Sequence, residues 1–170
     1  MIFKMKNLLY ITGLILVVLF SSCDDEIREA NFEDVEDLTA VDYMNENEER
    51  FSSFISILKK GELYKTLSAY NPEGAGYTVF LPDNEAVNKF IDASSQFSSL
   101  NDVLNNPEYA AALSRYHVVN LAVHTNEFPF GAFSQPTLSK DFLTVSFVIQ
   151  TDTSYYKINN QAAVKKPNIE

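Results

Sequence analysis

Residues 77–90 read Tyr-Thr-Val-Phe-Leu-Pro-Asp-Asn-Glu-Ala-Val-Asn-Lys-Phe. The first five are β-branched or aromatic, stand behind Gly76 and end at Pro82, so they predict a short buried strand. Proline cannot continue a ladder, and the Asp83-Asn84 pair that follows can cap a helix through a carboxylate or amide oxygen. Val87, Phe90 and Ile91 then fall at helical spacing, so the period changes from two to 3.6 within one turn of chain. A strand that feeds directly into an amphipathic helix fixes the class: helix and sheet share one core.

Working outward, Phe51, Phe54, Ile55 and Leu58 mark one face of a helix over 48–60, with Lys59 and Lys60 in its last turn and Gly61 as its stop. A shorter helical piece is expected over 62–69, burying Leu63 and Leu67, before the loop 71–76. Beyond the polar stretch 94–99, Asn106 and Pro107 suit an N-cap and first helical position. Tyr109, Leu113 and Tyr116 then supply an apolar face up to His117. After Val118 the pattern turns to strands, over 142–149 and 155–158, and Asn159-Asn160 supplies the positive φ of a tight hairpin back to Ala162, Ala163 and Val164. Tyr155 and Tyr156 are predicted on opposite faces of their strand. Helices first and strands last give an α+β domain with helices on a mainly antiparallel sheet.

Upstream, residues 1–23 begin with Lys4 and Lys6, continue through an apolar stretch at 8–20, and close on Ser21, Ser22 and Cys23. This is the pattern of a signal peptide, too short to span a bilayer, which takes roughly 20 apolar residues. Phe20-Ser21-Ser22-Cys23 resembles the bacterial lipobox, with Phe20 where leucine is usual; the resemblance implies a signal peptide over 1–22, lipidation of Cys23 and attachment to a membrane. Between Asp24 and Leu38 eight acidic residues stand against Arg28 alone. Such a run repels itself and reads as an extended tether over 23–38, spanning about 20 Å or more. An acidic run directly after the lipidated cysteine also resembles the export signal of surface lipoproteins in the Bacteroidota, which implies display on the outer membrane.

The whole chain of 170 residues carries a net charge of −10, and that excludes a phosphate backbone as its main partner. The whole chain has 46% hydrophobic residues, 13 Phe and 9 Tyr, and residues 39–170 suffice for one compact core. One cysteine leaves no disulfide framework and no thiolate metal site. His117 and His124 lack helical i, i+4 spacing, and with Glu127 as a third group they read as a structural and a surface histidine before they read as metal ligands. No GxSxG elbow and no glycine-rich phosphate loop occurs among five glycines, so neither catalytic residues nor a cofactor is expected.

Three segments together resemble the fasciclin domain: 77–90, Ala-Leu-Ser-Arg-Tyr-His-Val-Val-Asn at 112–120, and Tyr-Lys-Ile-Asn-Asn-Gln-Ala-Ala-Val-Lys-Lys-Pro-Asn-Ile at 156–169. Leu81, Asp83, Val87 and Asn160 depart from the family's preferred residues without changing the binary pattern. The resemblance implies the fasciclin-like fold over 39–170, expected here to stop short of the family's final strand, and a non-enzymatic adhesion module. It further implies a contact role for Tyr116 and His117, matching the Tyr-His pair of animal fasciclin proteins associated with integrin adhesion. Phe128, Phe130 and Phe133, set around a proline and a glycine, read as a loop that either forms an apolar contact patch or lids the core. Expected partners are extracellular matrix, a glycan or a cell-envelope protein. The alternative function is that of an accessory ligand-binding lipoprotein in polysaccharide uptake, with Phe130 or Tyr156 stacking on sugar rings.

Overall fold

The computed structural model describes residues 38–69 and 76–169; the apolar leader, Cys23, nearly all of the acidic tether and most of the 71–76 loop lie outside the described residues. The helical layer comprises α1 (Ala40–Glu46), α2 (Glu48–Lys60), α3 (Tyr64–Leu67), α4 (Asn84–Asp92), α5 (Leu100–Leu104) and α6 (Pro107–Tyr116). Strands β1 (Thr78–Val79) and β2 (Val118–Val119) form one antiparallel ribbon, whereas β3 (Gly131–Ala132), β4 (Thr144–Ile149), β5 (Ser154–Ile158) and β6 (Ala162–Ala163) form a four-stranded antiparallel sheet in that order.

Helix α2 has the bounds its periodicity predicts, and Phe51, Phe54, Ile55 and Leu58 are all buried. Ile57 is buried too, because α1, α4, α5 and α6 surround α2 and leave it no broad solvent face. Its end is a Schellman turn, in which the Leu63 N–H donates to the Leu58 carbonyl at 3.0 Å and the Glu62 N–H to that of Lys59 at 3.3 Å. The left-handed residue of that turn is Glu62, at φ 60°, and not Gly61. Gly61 serves a different need: a Cβ there would stand 2.6 Å from Ser114 Oγ and 2.8 Å from the Ala110 carbonyl oxygen. Absence of a side chain is what lets α6 lie against the end of α2.

Two helices are additions to the sequence reading. Helix α1 is started by a capping box in which Thr39 Oγ1 accepts from the Asp42 N–H and Asp42 Oδ2 accepts from the Thr39 N–H at 3.0 Å. The Thr39 hydroxyl also donates to Asp42 Oδ2 at 2.6 Å, and this bond first, then that from the Thr39 N–H, holds the Asp42 carboxyl below its usual value. Ser99 caps α5 by accepting from the Asp102 N–H at 3.2 Å. At α4 the cap is Asp83, and Asn84 instead reaches α2, accepting from the Ser53 N–H at 3.0 Å and donating to the Glu49 carbonyl.

The stretch at 77–81 is shorter and less buried as a strand than predicted. Only Thr78 and Val79 pair, opposite Val119 and Val118, and all five residues are half-buried. The reason is that this ribbon lies between two apolar clusters. Tyr77, Val79, Leu81 and Val118 face the cluster of the helices, while Phe80 and Val119 face a second one built with Phe133, Leu143, Val145 and Ile158. Alternation along two adjacent strands thus serves both cores at once. The Asn159-Asn160 turn forms as expected, with φ of 52° and 57°.

Candidate interaction surface

Tyr116 and His117 close α6 and deliver the chain into β2. Their rings meet edge to face with centroids 5.7 Å apart. Tyr116 is half-buried against the second cluster, and its hydroxyl accepts from Asn159 Nδ2 at 2.7 Å, which ties the helix end to the hairpin turn. The same Asn159 presents Oδ1 to the Thr144 N–H at 2.8 Å. His117 is also partly buried, its ring 5.2 Å from that of Phe54 and its Nδ1 bonded to the Leu113 carbonyl at 2.9 Å. Both side chains therefore have packing and hydrogen-bonding work inside the domain.

Burial pushes the His117 imidazole below its ordinary value near 6.5, and the Leu113 carbonyl opposes this only in part. A depressed histidine binds protons more readily in the unfolded chain, so its contribution to stability is complete above that ordinary value and is lost as pH falls below it. Urea midpoints measured between about pH 7.5 and 5.5 are expected to fall more for the native chain than for His117→Gln; parallel declines would deny His117 that part.

The aromatic run 128–133 divides. Phe133 is 3% exposed and sits edge-on to Phe80 at 5.8 Å, and half-buried Phe128 joins the same cluster, 5.2 Å from Phe133 and 5.3 Å from Tyr156. Phe128 and Phe133 thus take the second of the two roles expected of this run, covering the core, and are corrected as contact residues: a partner cannot reach Phe133, and Phe128 offers it little. The segment is not wholly a loop either, since Gly131 and Ala132 pair with Val145 and Thr144 as β3. Phe130 alone stands out, 85% exposed.

Other exposed apolar side chains were not singled out from sequence: Phe142, Phe147 and Ile149, the last 78% exposed. For Phe147 and Ile149 the signal is in β4, where Thr-Val-Ser-Phe-Val-Ile places apolar groups on both faces although only one end of the strand covers a core. Tyr155 and Tyr156, on opposite faces of β5, are both half-buried and with Phe147, Val164 and Lys165 border a groove of about 550 Å³.

Charge is arranged around the segment that follows β6. Lys165 Nζ lies 3.1 Å from Asp83 Oδ2 and 3.5 Å from Glu85 Oε2, and Arg50 reaches Asp83 from α2 at 3.7 Å. Desolvation pushes the Asp83 carboxyl up, but the Ala86 N–H, Lys165 and Arg50 outweigh it and leave the group below its usual value. Asn168 bonds Thr125 through the Thr125 N–H at 2.9 Å. The Glu127 carboxylate accepts from the His124 N–H at 3.1 Å, and among the described residues no group of three or more His, Cys, Asp and Glu is arranged to hold a metal ion.

Helices on an antiparallel sheet, with apolar side chains displayed from strands and loops, define an α+β module that presents surface. Residues 49–170 match the family model for the fasciclin domain, and the chain belongs to the fasciclin family. Domains of this family are generally non-catalytic adhesion modules. Among solved structures the chain is similar to a FAS1 domain pair from the insect cell adhesion molecule fasciclin I, at 14% identity and a TM-score of 0.45. That similarity covers 71% of this chain, which spans 39% of the insect one. No curated protein matches the chain.

Proposed function

We propose that the chain is a lipid-anchored adhesion or interaction module, held at the cell surface through Cys23 and binding matrix or envelope partners without catalysis. The observation that carries this reading is the fasciclin domain over 49–170, a domain known from cell-adhesion proteins. The lipobox-like Phe20-Ser21-Ser22-Cys23 and the acidic run behind it support anchoring of a bacterial lipoprotein at the outer membrane with the domain facing out. Within the domain, Phe130 is the contact residue that the geometry favours, because it is exposed and supports no core. Tyr116 and His117 serve first as packing.

Cells displaying the full chain are expected to bind matrix-coated surfaces, and Phe130→Ser to reduce that binding without moving the melting temperature. Unchanged binding in Phe130→Ser, with loss only in variants that unfold, would contradict the assignment of the contact. A second reading, glycan capture for polysaccharide uptake, is favoured by the groove beside Tyr155 and Tyr156. Saturable binding on a glycan array that disappears in Tyr156→Ala, at unchanged fold, selects it over adhesion.

A further inference from the structure

Strand β4 has an open edge. Gly131 pairs with Val145, and the Phe133 N–H donates to the Leu143 carbonyl at 2.8 Å, so Leu143 and Val145 turn their backbone groups toward β3. Alternation turns those of Phe147 and Ile149 to the same side. The chain bends away at Phe130, and among the described residues no strand lies beside Phe147–Ile149 there. Natural edges are guarded by lysine, proline or inward charge. The opposite edge of this sheet is so guarded, by β6 and then Lys165, Lys166 and Pro167, whereas residues 142–151 carry no charge at all.

From this edge we propose that a second copy of the chain adds to β4, strand against strand in antiparallel fashion, about a two-fold axis at Val148. That register sets Phe147 of each copy opposite Ile149 of the other, with their outward N–H and C=O groups exchanging hydrogen bonds. The two side chains left 39% and 78% exposed thereby cover one another. A second copy fits better than an unlike partner for two reasons. The two exposed apolar residues flank Val148 symmetrically, so a two-fold axis there sets each against the other, and the strip has no charge with which to select a charged ligand. Each chain is acidic overall, and this uncharged strip is a place where two copies can approach without bringing like charges together. Three residues a side fall far short of the roughly 800 Å² per partner of a stable complex, so the association is weak and reversible, suited to chains crowded on one surface.

Opposed residues at the axis form a non-hydrogen-bonded pair with Cα atoms about 4.5 Å apart, within disulfide reach. The test uses the full chain in detergent with Cys23→Ala, oxidised with copper phenanthroline. Val148→Cys is expected to give a reducible dimer, and Ala163→Cys, on β6, to give none. Adding Ile149→Lys to Val148→Cys is expected to abolish the dimer while the circular-dichroism melt stays unchanged. Absence of the Val148→Cys dimer, equal yields at Val148 and Ala163, or persistence of the dimer with Ile149→Lys overturns the proposal.

Discussion

Phe54→Ala is expected to destabilise the domain by about 3–5 kcal/mol, the range for emptying an aromatic site in a closed core. Phe54 is 1% exposed in the middle of α2, the helix that α1, α4, α5 and α6 all contact, so no single neighbour can move in without leaving another. The vacancy also removes the surface on which the His117 ring rests, 5.2 Å away, and so frees the end of α6 that starts β2. Against a total stability of roughly 5–15 kcal/mol, such a loss lowers the thermal midpoint by on the order of 10–20 °C. Calorimetry of the two chains measures it. A shift of only a degree or two would mean that the helical layer is loosely packed around α2.

Gly61→Ala is the second large effect. The added methyl would meet Ser114 Oγ at 2.6 Å, the Ala110 carbonyl at 2.8 Å and Ala111 Cα at 2.9 Å, and two of those three atoms are backbone. Backbone cannot rotate aside as a side chain can, so the α2 terminus and α6 must separate. Separation weakens the Ser114 hydroxyl contact with the Ile57 carbonyl, which is 3.2 Å long and fully buried. Overpacking of this kind costs about 3 kcal/mol. Alanine is otherwise the better residue near a helix end, so propensity predicts the opposite sign. Denaturant midpoints of the two chains decide between them: a midpoint equal to or above the native one would remove close approach as the reason for this glycine.

Much of the fold is legible in sequence because single residues fix it locally. The bounds of α2 follow from its four core positions and two terminal lysines; the last hairpin follows from Asn159 and Asn160, which tolerate positive φ. Helix α6 starts where Asn106 and Pro107 say it should. What escaped depends on partners distant in the chain. Thr78–Val79 reads as a buried strand, yet its half-burial comes from standing between two clusters, and its strand partner is the 118–119 segment, forty residues on. Gly61 looks like a simple helix stop until Ser114 and Ala110 are placed beside it. Helices α1 and α5 are short, and their capping residues Thr39 and Ser99 were the available signal.

The candidate surface was legible to a lesser degree. An aromatic-rich run marks both cores and contact patches, and only the pairing of Gly131 and Ala132 with β4 decides that Phe133 turns inward while Phe130 turns out. Tyr116 and His117 share that ambiguity, since a ring at a helix end serves packing as readily as binding. Their bonds to Asn159 and to the Leu113 carbonyl show the structural work they do.

The proposed role at a membrane surface requires that Cys23 be acylated. Growing the native host with labelled palmitate and recovering the protein measures this directly. We predict label in the native chain and none in Cys23→Ala, with the variant leaving the membrane fraction. Failure of the native chain to take up label, or equal uptake by both chains, would contradict it.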